Sequence, residues 1–179
     1  EQGELTKAME RTRSGLKLID PSTAPALYSN AIEKIAVINR RQKQFPRAIE
    51  GLNEVIRLRK ANLNNAEDYQ HLAYAYENLF EVYRHKGDLG RAGAFLQKAF
   101  ETLLIQKAFD ENGAPIVERS VAFNDLDFVR LLSLKAQLLR SEFEATQNPA
   151  ALEKSLVLHA RIDSVISKRL LLFPFQKSK

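Results

Sequence analysis

Few side chains in this sequence have the types and spacing that acid–base or metal chemistry needs. The three histidines, His71, His85 and His159, are scattered along the chain, and there is no cysteine. A metal site needs several ligands at close or matched spacing, which these histidines do not show. We therefore expect no metal site, no bound cofactor and no thiol chemistry, and we expect His159 to be a packing residue.

The carboxylates are typical of a solvated helix surface. Glu77 and Glu81 are four residues apart, so both would lie on one face of a helix. Acid–base catalysis would also need a concave site that excludes water. The sequence contains no nucleophile elbow, phosphate loop, dinucleotide fingerprint or zinc-protease motif. It therefore predicts a chain without enzyme activity.

Composition and charge exclude several classes of protein. The 179 residues are 45% hydrophobic and 27% charged, as in ordinary globular domains, and no apolar run is long enough to span a membrane. The net charge is +5, with 27 basic residues interleaved among 22 acidic ones, which favours charged helix faces over a nucleic-acid or acidic-lipid surface. The first residue is Glu1 rather than Met, so we expect a piece of a longer protein whose compartment stays open.

The stretch 73–103 predicts two helices joined by a tight turn. Gly87 can take the positive φ that ends a helix, and Asp88 can cap the next helix. Ala92 must be small where the two helices cross, because bulky residues of the first helix fill the groove beside it. The positions that define this hairpin are Tyr76, Leu79, Phe80, Tyr83, Ala92, Leu96 and Ala99.

The same pattern recurs 44 residues earlier in the chain. Its members are Ile32, Ile35, Ala36, Asn39, Ala48, Leu52 and Val55. The step from Ala36 to Ala48 is 12 residues, as is the step from Phe80 to Ala92, so the hairpin repeats without an insertion. The first copy departs from the pattern at Asn39, where the second copy has Tyr83. It also departs in its turn 42–46, which lacks glycine. Because one hairpin cannot bury its apolar face alone, the two copies are expected to stack.

Further helices are predicted on both sides of these copies. Residues 4–19 read as the second helix of a partial repeat and stop at a proline, which cannot continue a helix. Residues 109–123 break the period and predict an ordered connector. Residues 124–172 predict a long divergent hairpin, capped by Asn124, whose helices cross at Ala136 and Ser155. The expected inner face of its last helix is Leu152, Ser155, Leu156, His159, Ile162, Val165 and Ile166.

Three glycines, Gly51, Gly90 and Gly93, fall inside predicted second helices, where each costs about 1 kcal/mol relative to alanine. Close approach of a neighbouring helix is the expected compensation.

The pattern of residues 4–107 resembles tetratricopeptide repeats (TPR), with a bulky residue, Leu and Tyr on the first helix and two alanines flanking an aromatic position on the second. The last 70 or so residues, with Lys135 and Ala136 before a long hairpin that closes on Asp163 and Ile166, resemble the TPR region of bacterial TPR–CHAT proteins. This resemblance implies an all-α, right-handed α-solenoid of about seven helices, in one domain over 1–179 with repeats at 26–63 and 67–107. A caspase-like CHAT peptidase domain follows the repeats in that family, but its catalytic Cys cannot lie in this chain.

The resemblance also implies a binding face. In TPR arrays the first helices of successive hairpins line the concave side, and positions i, i+4, i+7 and i+11 share one face of a helix. An asparagine in the place of Asn78 often holds the backbone of an extended peptide, because an amide both donates and accepts. Lys34 and Arg41 could take a carboxylate. The candidate peptide-binding residues are Asn30, Lys34, Val37, Arg41, Tyr74, Asn78, Glu81 and His85.

Three functions stay open from the sequence. The favoured one is a non-catalytic scaffold that binds a protein or peptide, with an acidic segment as one candidate, in the sensing or adaptor part of a larger protein. The alternative is a structural or regulatory arm that restrains a downstream CHAT peptidase domain, with residues 170–175 as its contact. Nucleic-acid binding is less favoured, and it would show a steep dependence on salt.

Overall fold

The computed structural model describes residues 2–103 and 125–172. This described part holds seven α-helices and no strand, so the prediction of an all-α fold with about seven helices is confirmed. The helices are α1 (Gln2–Leu16), α2 (Pro25–Arg41), α3 (Phe45–Lys60), α4 (Ala66–His85), α5 (Leu89–Leu103), α6 (Asp125–Thr146) and α7 (Pro149–Leu172). No helix of the described ranges is long and apolar enough to cross a lipid bilayer.

The chain divides into two compact units, residues 1–103 (unit 1) and 104–179 (unit 2), and each is described by itself. The expectation of one repeat domain over 1–179 therefore stays a prediction. The expected connector 109–123 and the cap at Asn124 lie outside the described residues, as do residues 173–175 of the expected contact stretch.

Local signals explain where the helices of unit 1 begin and end. Pro25 opens α2 at a position where no backbone donor is needed. A capping box opens α4: the side chain of Asn65 accepts from the Asp68 N–H, and the Asp68 carboxylate accepts from the Asn65 N–H. Asp88 accepts from the Arg91 N–H ahead of α5, and Gly87 has a φ of 78°. The predicted turn between α4 and α5 is thus confirmed.

The helices of unit 1 pack in chain order, as in a helical solenoid. Each helix contacts the next one, and α2 also contacts α4. The predicted crossing residues Ala48 and Ala92 are both fully buried. Most of the other repeat positions are buried as well, namely Ala36, Asn39, Leu52, Val55, Tyr76, Leu79, Phe80, Tyr83, Leu96 and Ala99. The small side chains therefore lie where paired helices nest, as the 44-residue pattern predicts.

The expected role of the helical glycines is confirmed for Gly51 and stays a prediction for Gly93. A Cβ at Gly51 would lie 3.1 Å from the Cβ of Ala36 and 3.7 Å from Cγ2 of Ile32, so α2 and α3 approach closely there. A Cβ at Gly90 would meet only Oδ1 of Asp88, at 3.9 Å. The prediction is wrong for Gly90, because this residue lies in the first turn of α5, away from a neighbouring helix.

Unit 2 contains α6 and α7, which pack against each other. The hydroxyl of Ser155 donates to the backbone carbonyl of Ala136 at 3.1 Å, which confirms the predicted crossing. The core comprises Leu132, Ala136, Leu139, Leu158 and Ile162, with Val129 packed against it.

The expected inner face of α7 is partly wrong. Its buried residues are Ala151, Ser155, Leu158 and Ile162. The leucines at 152 and 156 are exposed, as are His159 and Ile166. Two apolar rows run along α7 about one residue apart, and helical spacing alone does not distinguish the row that meets α6.

Candidate peptide-binding face

The α2–α4 face is the surface that carries the eight candidate residues listed above, and two contacts hold its helices side by side. The Asn78 Nδ2 donates to Oε1 of Glu33 at 3.1 Å. Nη1 of Arg40 lies 3.7 Å from Oε2 of Glu81. Each contact joins one residue of α2 to one of α4, so the structure brings the candidate residues of both helices together.

A buried arginine supports this face from below. Arg59, on α3, is only 7% exposed. Its Nη2 donates to Oε2 of Glu33 at 2.7 Å and to Oδ1 of Asn30 at 2.9 Å. Its Nη1 donates to Oε1 of Glu33 at 3.2 Å and to the backbone carbonyl of His71. This two-point pairing fixes the Glu33 carboxylate, which in turn orients the amide of Asn78.

Three candidate residues, Asn30, Asn78 and Glu81, take part in contacts that join two helices. Asn30 accepts from Arg59, and Asn78 donates to Glu33. Oε2 of Glu81 lies 2.8 Å from Nη2 of Arg84 and 3.6 Å from Nε2 of His85. Their first role in the structure is therefore to hold the helices in register.

The candidate residues also differ in how much of their surface is open to solvent. Lys34 and Arg41 are exposed on α2, and Val37 is half-buried on the same helix. Tyr74 is half-buried on α4, while the side chain of His85 is 48% exposed. Whether these residues bind a peptide stays a prediction.

A recess lies where α2 and α4 end. Its volume is about 330 Å³, and its lining residues are Arg40, Arg41, Lys43, Phe45 and His85. The Nε atoms of Arg40 and Arg84 are buried and have no hydrogen-bond partner in the described structure. The recess is thus lined by three clustered basic residues, Arg40, Arg41 and Lys43, and by His85.

The charges of this recess affect one another. The pKa of Arg40 is lowered, first by burial and then by Arg41 and Arg84, while Glu81 acts in the opposite direction. The pKa of His85 is also lowered, first by burial and then by Arg84, against the opposing effect of Glu81. Burial is the main cause of both shifts, and the neighbouring cations add to it, so an anion bound here would relieve part of the repulsion.

The α2–α3 turn places Lys43 at this recess in an uncommon backbone conformation. Its φ is 59°, in the left-handed region that glycine tolerates best. The Lys43 N–H donates to the Arg40 carbonyl at 2.9 Å, and the Gln44 N–H donates to the Asn39 carbonyl at 2.8 Å. This pair of hydrogen bonds closes the C-terminal end of α2. A helix that ends in this way has one residue, here Lys43, in the left-handed region.

Comparison with known proteins shows the fold. No family model matches the chain, and no curated protein matches it. The crystal structure of BtubC (BKLC) from P. vanneervenii is similar, with a TM-score of 0.65 and 15% sequence identity. The match covers 99% of this chain and 61% of BtubC, so the chain spans about three fifths of that protein's length. The likeness identifies a helical-repeat-like, all-α fold.

Sequence reasoning missed Arg59, Glu33 and Lys43. Arg59 lies in the run 57–60, which reads as a charged helix end, and its partner Glu33 is 26 residues away. The repeat could have revealed Arg59, because the position 44 residues later is the buried Leu103. The same shift connects Lys43 with Gly87, which marks lysine as unusual in that turn.

The described residues include no group of three or more His, Asp and Glu side chains placed to hold a metal ion. His71 and His85 lie on α4, whereas His159 lies on α7 in the other unit.

Proposed function

We propose that unit 1 is built from TPR-type repeats and that its α2–α4 face binds an extended, acidic segment of another protein. In this proposal the chain has no enzyme activity and serves as the adaptor part of a larger protein. The alternative, an arm that restrains a downstream CHAT peptidase domain, has only the sequence resemblance to support it.

The observation that carries the proposal is the distribution of charge on the face. Glu33 and Glu81, the carboxylates at the seam between α2 and α4, are both bound by arginines, Arg59 and Arg84. Lys34 and Arg41 are exposed on α2, and Arg40 and Lys43 follow at the recess. These two carboxylates are paired with arginines of the protein, while Lys34 and Arg41 are open to solvent, so this part of the face attracts negative charge.

The residues that hold Asn78 in place favour an extended ligand. The arginine and carboxylate below the face fix the amide of Asn78, and a fixed amide loses little entropy on binding a peptide backbone. Val37 and Tyr74, both half-buried, offer apolar contact between the polar groups. A row of fixed polar groups with cations along one side matches an extended acidic chain.

Fluorescence polarisation with labelled peptides of graded negative charge tests this proposal. Wild-type protein should bind the acidic peptides saturably, and R41E should weaken binding by about tenfold, because it replaces an attraction with a repulsion. R57E is a matched control, since Arg57 is an exposed arginine of α3 that pairs with Glu54 and lies outside the face.

Equal losses in R41E and R57E would reduce the effect to overall charge and refute the assigned face. A single-stranded oligonucleotide of the same charge should bind more weakly than the peptide. Tighter binding of the oligonucleotide, with a steep salt dependence, would favour nucleic acid as the partner.

A further inference from the structure

The recess at the ends of α2 and α4 has more positive charge than its neighbours neutralise. Four permanent cations, Arg40, Arg41, Lys43 and Arg84, lie in or beside it. Within residues 2–103 and 125–172, the carboxylate that contacts this group is Glu81, which lies within 4.0 Å of both Arg40 and Arg84. The local excess is therefore three positive charges, four minus one, before any ligand binds.

We propose that this recess is a subsite for a dianionic phosphate group, carried as a phosphorylated serine or threonine by the segment that binds the α2–α4 face. The inference rests on the proposed function, since it assigns one part of that segment to one part of the face.

A phosphate fits this recess better than a single carboxylate does. A phosphorylated side chain has a charge of about −1.5 to −2 at neutral pH and three strong acceptor oxygens. The recess offers the guanidinium groups of Arg40 and Arg41, together with the Lys43 ammonium and the His85 ring. A carboxylate would neutralise less of the charge and would leave more of these donors unused.

The backbone at Lys43 is the second, independent observation. Its left-handed φ of 59° is unfavourable for a residue with a Cβ, and the corresponding turn of the next hairpin has Gly87 with a φ of 78°. Both turns have the same pair of hydrogen bonds: Gly87 N–H to Arg84 O at 3.0 Å, and Asp88 N–H to Tyr83 O at 3.0 Å. The turn does not need lysine, so what lysine adds is its ammonium group at the recess.

The walls of the recess favour a group attached to a chain over a free ion. Phe45, half-buried at the start of α3, forms one apolar side. Arg41 and His85 are exposed at the rim, on the same helix faces as Lys34 and Asn78. A peptide that lies along those faces would bring its side chain to the recess.

Binding of four probes to the full chain tests the inference. These probes are a short acidic peptide with a central phosphoserine, the same peptide with serine, the same peptide with glutamate, and inorganic phosphate. The phosphoserine peptide should bind about tenfold tighter than the serine peptide, through charge-assisted hydrogen bonds. Its titration, followed by amide NMR shifts, should move the signals of Lys43 and His85 and saturate.

Each alternative result overturns a different statement. Equal binding of the phosphoserine and serine peptides would refute the subsite and leave the proposed function standing. Equal binding of the phosphoserine and glutamate peptides would show that one negative charge suffices and would also refute the phosphate assignment. Inorganic phosphate that binds as tightly as the phosphopeptide would identify a site for free phosphate. No saturable binding of any peptide would refute the proposed function itself.

Lys43→Gly separates the role of the ammonium from the role of the fold. Glycine suits the turn, so the variant should melt at the same temperature or higher, while its preference for phosphoserine over serine should fall about tenfold. Lys43→Asn is a second variant that tolerates the left-handed conformation and removes the charge. Gln147→Gly is the matched control, because Gln147 has a φ of 56° in the α6–α7 turn of unit 2. An unchanged phosphoserine preference in both Lys43 variants would overturn the inference.

Discussion

The first hairpin (α2–α3) and the second hairpin (α4–α5) solve the same packing problem with different side chains. In the first, Gly51 lets the helices approach until a Cβ there would be 3.1 Å from Ala36. In the second, the position 44 residues later is Phe95, which stacks on Tyr83 with ring centroids 5.3 Å apart and planes 12° apart. Both hairpins bury their crossing alanines fully. The shared backbone pattern therefore accepts either a missing side chain or an aromatic ring at one position.

A second difference concerns polar groups. The first hairpin has Arg59 and Lys43 where the second has the buried Leu103 and Gly87. Each of these departures costs stability, since a buried charge must be paired and a left-handed lysine is strained. The second hairpin follows the repeat at both positions. Departures from a repeat that cost stability are expected at functional sites, and here they support and line the face that we propose binds a peptide.

The largest effect is expected from Arg59→Ala. It leaves the half-buried carboxylate of Glu33 without its main partner, so the free energy of unfolding should fall by about 3 kcal/mol. Urea unfolding followed by circular dichroism measures this. Replacing the pair together, as Arg59→Leu with Glu33→Leu, should recover much of the loss, because leucine is what the second hairpin has at the position of Arg59.

Arg57→Ala is the matched control for that experiment. Arg57 is on the same helix as Arg59 and pairs with Glu54 at 2.7 Å, but it is exposed. Its removal should leave the free energy of unfolding nearly unchanged, because exposed pairs contribute little. Equal losses at the two arginines would contradict the special role of the buried one.

Gly51→Leu should destabilise by about 2 kcal/mol, since the new side chain would be forced against the backbone-fixed Cβ of Ala36. Gly90→Ala should instead stabilise by about 0.5 kcal/mol, because its surroundings are open and alanine favours the helix. Thermal melts of both variants check the comparison. Stabilisation by Gly51→Leu would show that the two helices can separate to the spacing seen around Phe95.

Exchanging the two turn residues should produce opposite changes. Gly87→Lys places a Cβ in the left-handed region and should cost about 1 kcal/mol. Lys43→Gly should leave stability unchanged or raise it by up to about 1 kcal/mol, because relief of strain is partly offset by the greater freedom of the unfolded chain. Chemical unfolding of both variants measures the difference. A loss in Lys43→Gly would show that lysine stabilises the turn itself.

The smallest effect concerns pH at His85, whose counterpart 44 residues earlier is Arg41. The pKa of His85 lies below its ordinary 6.5 in the folded chain, so the unfolded chain takes up this proton first as pH falls. The contribution of His85 to the free energy of unfolding is therefore unaltered above pH 6.5. It becomes destabilising as pH falls below that value. Unfolding at pH 7.5 and pH 5.5 should show a smaller pH dependence in His85→Gln than in the wild type. An equal or larger dependence in the variant would contradict the direction of the shift.

The hairpins of unit 1 could be predicted because their signal repeats. Ala48 and Ala92 stand at the same distance from bulky partners in both copies, so each copy supports the interpretation of the other. Gly87 and Asp88 marked a turn by their own backbone chemistry. The α6–α7 hairpin has no second copy in the chain, and there the buried row of α7 was partly misassigned.

The candidate face was predicted less completely, for a physical reason. Helical spacing identifies which residues share a face, and it placed Asn78 and Glu81 on the correct helix. It gives no information on which polar side chain of another helix pairs with them. The contact between Asn78 and Glu33 spans 45 residues, and it forms only because an arginine from α3 fixes the carboxylate.

The guanidinium of Arg59 has a further consequence for how the molecule opens. It donates both to the side chains of α2 and to a backbone carbonyl of α4, so one buried cation belongs to both hairpins. Helical repeats often fray from their ends, copy by copy. Here the first hairpin cannot detach without exposing the shared cation, so amide hydrogens of α2 and α4 should exchange with solvent at similar rates, as one cooperative block.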